Sequence, residues 1–119
     1  MTWIQEVSIL TWLAAAGIAA APGAETREGY VLPVGCKSSR ETRSAAEAHT
    51  TKCALELECV VTGYGLFVDG KFFEFDDEGD QTALKYFRET KKSGDHLVSV
   101  TGDFSGAEVR VTSLEPVSR

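Results

Sequence analysis

The residue types able to do chemistry gather in one stretch, His49-Thr50-Thr51-Lys52-Cys53-Ala54-Leu55-Glu56-Leu57-Glu58-Cys59, with a third thiol upstream at Cys36. Cys36, His49, Cys53 and Cys59 include every cysteine and one of the two histidines. Three sulfurs and an imidazole form a reasonable zinc or copper ligand set, although their spacing matches no standard zinc motif. On a helix, His49 and Cys53 would share a face with Cβ atoms roughly 6 Å apart, a spacing suited to one metal ion. Cys59 stands further on, and an unbroken helix would separate it from Cys53 by about 9 Å of rise and turn it the wrong way. That exceeds the roughly 7 Å between Cα atoms that a disulfide tolerates, so a bridge between these two needs a break in the helix. A bridge from Cys36 to either one would close a flexible loop and stabilise the fold by about 3 kcal/mol. Thiol redox work is the weaker alternative: there is no CxxC, Lys52 is the only nearby cation, and Glu56 and Glu58 oppose a thiolate. Two readings stay open, a metal or small-ligand site built from all four residues and a disulfide staple that leaves one thiol over.

The compartment bears on that choice. From Ile9 to Ala21 the chain runs without a charge, too short for a membrane span but of the length of a signal-peptide core, and Ala21 and Gly23 are small residues of the kind a signal peptidase reads. Residues 1–23 are therefore expected to form a signal peptide, with the mature chain starting near Ala24. The leader lacks the usual opening Lys or Arg, Glu6 being the only charge from Met1 to Leu10. All the cysteines follow the cut, so the domain would mature in a periplasmic or secreted, oxidising setting, where the odd count leaves a thiol unpaired. No membrane span is expected after leader removal.

A chain of 119 residues leaves room for a single domain over residues 24–119. A formal net charge of -6 opposes binding to nucleic acid or anionic lipid, because both are polyanions. A metal ion or small ligand fits that charge better.

The elements that must position the cluster follow from periodicity. Glu28 to Val34 reads as a first strand with Tyr30, Leu32 and Val34 on one face, ended by Pro33. The polar stretch from Gly35 to Thr51 reads as an insertion without a core element. Thr50 or Thr51 then caps a short helix through Cys53, Ala54, Leu55 and Leu57, stopped by Gly63. Gly65 to Val68 and Lys71 to Phe75 form a hairpin around Asp69-Gly70. Asp80 is expected to cap a helix carrying Ala83, Leu84, Tyr86 and Phe87, with Lys91 and Lys92 in its last turn. Leu97 to Phe104 and Ala107 to Leu114 alternate around Ser105-Gly106, which places Val98, Val100, Val109 and Val111 inside. The fold class predicted is mainly β with one or two helices: a five-stranded OB-like barrel with the Cys/His-bearing insertion between strands one and two. That insertion would flank the ligand face, since the opposite loop is only Ser105-Gly106.

The order G-Y-V-L-P-V-G-C, H-T-T-K-C-A-L-E-L-E-C, G-Y-G-L-F, D-G-K-F-F-E-F-D and V-S-V-T-G also resembles a group of small exported bacterial proteins of unassigned activity. The resemblance runs from Gly29 to about Leu114, and its most specific piece is HTxxCAL followed by a cysteine and GYG. It implies an exported OB-like domain with Cys36, His49, Cys53 and Cys59 as its site, and implies no reaction.

Other candidates read as ordinary structure. His96 is expected at the surface or at a strand end. The acidic run Asp76-Asp77-Glu78-Gly79-Asp80 lacks the alternation and terminal glutamate of an EF-hand, so a solvated turn with a helix cap explains it better than calcium. Phe67, Phe72, Phe73 and Phe75 could stack on bases, but alternating aromatics in a hairpin are more often core. No Ser, His and Asp set, no phosphate-cradling glycine loop and no cofactor fingerprint is visible, and no enzyme is expected.

Overall fold

Alternating β-branched and aromatic residues produce five strands, here in a computed structural model that describes residues 23–118. The strands are β1 (Ala24–Pro33), β2 (Tyr64–Val68), β3 (Lys71–Phe75), β4 (Leu97–Ser105) and β5 (Glu108–Pro116). Except for Gly23, the expected leader lies outside the described residues. The sheet closes on itself in the order β1-β2-β3-β5-β4, with β1 pairing back onto β4. Only β3 and β5 run parallel, through Glu74 opposite Glu108 and Phe75 opposite Val109. The β2–β3 hairpin turns at Asp69 and Gly70, whose φ angles of 47° and 83° are those a type I′ turn demands. A register shift opposite Thr101/Gly102 leaves Thr112 of β5 without a partner, a β-bulge in that strand.

The helices number more than the one or two expected. A 3-10 turn (Lys37–Arg40), α1 (Arg43–Ala48), α2 (Thr51–Ala54) and α3 (Leu57–Thr62) fill the β1–β2 connection, and α4 (Asp77–Glu89) joins β3 to β4. The stretch read as too polar for a core element nevertheless contributes Ala46, which is fully buried. Its helix starts because the Thr42 hydroxyl accepts the Ala45 amide at 3.0 Å. A single small residue was enough to seat it, and small residues carry little hydrophobic signal.

Inside the closed sheet, Val31, Leu66, Phe73, Phe75, Val98, Val100, Val109 and Val111 pack with Ala83 and Phe87 of α4. The four valines and the split of Phe73 and Phe75 from Phe72 agree with period-two reasoning. On β1, Tyr30 and Leu32 share a face as expected, while Val34 lies beyond the strand end. Tyr30 and Leu32 point outward into a second cluster with Ala46 and Phe67, while Val31 enters the core. From Gly29 to Pro33 both faces of this strand are buried, so that half offered no polar contrast by which to orient it. Strand β1 also extends to Ala24, because Ala24–Tyr30 find partners along β4.

The cap of α4 is Asp76 and not Asp80. The Asp76 carboxylate accepts the amides of Gly79 at 3.0 Å and Val111 at 3.1 Å, fixing both the helix start and its attachment to β5. Asp80 instead accepts the Tyr64 amide at 2.9 Å. Helix α4 ends at Glu89 with Thr90 as its C-cap, so Lys91 and Lys92 lie beyond it. Among the described residues no helix is long and apolar enough to cross a membrane.

Candidate functional site

The cluster takes its geometry from a break in its helix. Thr50 caps α2 by accepting the Cys53 amide at 3.1 Å, and α2 ends at Ala54. Glu56, in extended conformation with ψ 145°, then starts α3 in a new direction. Gly63 closes α3 at φ 84°, as its position after the apolar run implied. The break turns Cys59 inward, where it is 6% exposed, and leaves Leu57 on the surface at 79%. Cys36 caps the 3-10 turn just after β1 and is half-buried. Its sulfur lies 3.6 Å from that of Cys59, a pair that sequence spacing allowed without selecting.

Cys53 is exposed, and no sulfur contact joins it to the other two. The helical face it was expected to share with His49 does not exist. His49 follows α1 in extended conformation with ψ 133°, and Thr50 is extended at ψ 156°, so the α2 helix begins only after both. A threonine cap requires non-helical backbone at its own position, which excludes the four-residue helical spacing. Among the described residues no three of His, Cys, Asp and Glu stand where they could hold one metal ion.

Burial pushes the Cys59 thiol up to about 12, reinforced by the adjoining Cys36 and by the charges of Glu56 and Glu58. A thiol so reluctant to ionise is a poor nucleophile and a costly metal ligand, since both roles need the thiolate. Cys36 and Cys59 both stand as free thiols, their sulfurs in contact and not bonded.

The histidines sit on the other side of the insertion. His96, expected at the surface, is 1% exposed. The Thr51 hydroxyl donates to the Lys92 carbonyl at 2.5 Å, so it accepts the His96 Nε2–H at 2.8 Å. Tyr86 then donates its hydroxyl to Nδ1, also at 2.8 Å. These two contacts satisfy both ring nitrogens of a neutral imidazole. Burial, then the Lys92 ammonium and His49, bring its pKa down to about 4 against the opposing Asp95. Nothing in the sequence marked this residue, because its partners Thr51 and Tyr86 are distant along the chain. His49 is also buried, and neither of its ring nitrogens has a hydrogen-bond partner. Burial lowers its pKa, with the Glu56 carboxylate acting in the opposite sense.

The insertion is fastened to the sheet by polar contacts. Tyr30 donates its hydroxyl to Glu47 of α1 at 2.9 Å. Arg40 donates to the Val34 carbonyl at 3.1 Å and lays its guanidinium 4.2 Å from the centre of the Phe72 ring. Between the start of the insertion and the outer face of β1 and β2 lies a groove of about 460 Å³, walled by Glu41, Thr42 and Arg43. Sequence reasoning singled out none of these three. Another groove, of about 390 Å³, lies between α4 and the end of β5. Phe67, Phe73 and Phe75 are buried, so they present no open platform for bases. The acidic run is spent on backbone amides through Asp76 and Asp80.

The fold and the cluster define a mainly-β domain with a closed five-stranded sheet and a thiol pair at the base of a helical insertion. No protein-family model matches the chain, and no curated protein or solved structure does.

Proposed function

We propose that this chain is an exported, OB-like binding domain in which Cys36 and Cys59 close a disulfide that pins the β1–β2 insertion to the sheet. The observation that carries this reading is the 3.6 Å contact between the two sulfurs. Strand order, the single parallel pair and the helix between β3 and β4 support the OB-like description. The cysteine usage and the apolar run before Ala24 support export. Closure takes place before Cys59 is buried, while its thiol still ionises: it joins the two sulfurs and passes two protons and two electrons to a disulfide-bearing oxidant of the export compartment by thiol–disulfide exchange. The bridge would hold α3 against the end of β1, and the insertion is then the part of the domain that meets a ligand.

The rival reading is a zinc or copper site drawing on Cys36, His49, Cys53 and Cys59. Its support is the pair of unpartnered nitrogens on buried His49, which a ligand would satisfy. The raised pKa of the Cys59 thiol weighs against it. Protein recovered from an oxidising compartment separates the two. The staple predicts a mass lower by two hydrogens, a Cys36–Cys59 linked peptide in a non-reducing digest and one thiol reactive in denaturant. Copurifying metal, with all three thiols titratable only after chelation and unfolding, would establish the rival.

A further inference from the structure

The groove beside the insertion has the size of a small-molecule site. Its floor is aromatic and apolar, with Tyr30 and Phe67 buried beneath it. The hydrogen bond from Tyr30 to Glu47 fixes one of those rings. The rim is charged and unbalanced: Glu28 of β1, Glu41 of the insertion and Asp69 of the hairpin turn face a single guanidinium, Arg43. The one ion pair between described residues is Arg27 with Glu25, so among the described residues no cation forms an ion pair with the three rim carboxylates.

We propose that this groove binds a primary amine carrying an aromatic body, with the ammonium at the acidic rim and the ring against Tyr30 and Phe67. The proposal rests on the reading of the domain as a binding module and names its ligand class. Charge complementarity selects the cation, because an anion would meet two unopposed negative charges at the rim and a net charge of -6 over the chain. The rim carboxylates come from three separate elements and form no metal-holding group. A compact ion is therefore a poor match, and a ligand with a body that spans the rim is a good one. The edges of Tyr30 and Phe67 that line the groove offer apolar contact without an open face for stacking, and that contact adds to the attraction.

Tryptamine is the probe, added to 15N-labelled full chain from an oxidising compartment. The controls are indole-3-acetate, with the same rings and the opposite charge, and ethylamine, a cation without a body. Saturable shifts of the Gly29 and Gly70 amides are expected with tryptamine alone, weakening as salt rises. The double variant Glu41→Gln, Asp69→Asn should weaken binding at least about fivefold, and Arg43→Gln should tighten it about twofold. These residues are exposed, and unchanged spectra elsewhere confirm the fold. No shift with tryptamine, equal binding by indole-3-acetate, or an affinity unmoved in both variants overturns the proposal. The same samples report the Cys36–Cys59 linkage by mass. A closed bridge without tryptamine binding defeats the ligand class and keeps the staple; binding without a bridge does the reverse.

Discussion

Mild acid should weaken this fold through His96. In the unfolded chain its pKa is 6.5; in the fold it is about 4, because burial and Lys92 disfavour the imidazolium while Thr51 and Tyr86 engage the neutral ring. A depressed folded pKa means a contribution that is complete above 6.5 and is lost as pH falls towards 4. Between about pH 7.5 and about pH 5 the loss amounts to up to about 2 kcal/mol from this one ring. His49, also lowered by burial, acts with the same sign and adds to it. Asp80 acts oppositely, because burial raises its carboxyl pKa and its folded form takes a proton more readily as pH falls. Ending the comparison at about pH 5 keeps most carboxylate titration outside the window. Against a domain stability of about 5–15 kcal/mol the change is large enough to move a urea midpoint clearly. Urea unfolding followed by far-UV circular dichroism at both pH values measures it. Tyr86→Phe should cost about 1 kcal/mol near neutral pH by removing the donor to Nδ1. Equal stability at the two pH values would refute the reasoning.

Oxidised protein should exceed reduced protein by about 3.5 kcal/mol, the loop-closure value for cysteines 23 positions apart, with Cys36→Ser insensitive to reductant in urea melts. Gly63→Ala should cost about 1–3 kcal/mol. Gly63 sits at φ 84°, and a Cβ there would lie 2.6 Å from an Asp80 carboxylate oxygen; a urea midpoint equal to the parent's would count against this. Asp76→Ala should lower stability by about 1–2 kcal/mol, because the Gly79 and Val111 amides lose their shared acceptor. Its calorimetric midpoint should fall while Glu78→Ala, at an exposed position, leaves the midpoint close to the parent's.

Local chemistry made much of this protein legible from its sequence. The Asp69-Gly70 turn, the valine alternation of β4 and β5 and the stop at Gly63 each depend on neighbours in the chain, and each stands where periodicity and turn preferences put it. The Thr50 cap was equally visible, and a cap at Thr50 removes His49 from the helix of Cys53. What remained hidden depends on contacts between residues far apart in sequence. Asp76 outcompetes Asp80 as the α4 cap because β5 brings the Val111 amide to the same carboxylate, while the Tyr64 amide occupies Asp80. His96 is buried because Thr51 and Tyr86 converge on its two nitrogens. Cys36 finds Cys59 because the antiparallel pairing of β1 with β2, Pro33 opposite Tyr64, brings the end of β1 alongside α3. Periodicity records which face of an element is apolar; it carries no information about which distant polar group will arrive to satisfy a buried nitrogen or meet a sulfur, and only the packed fold decides that.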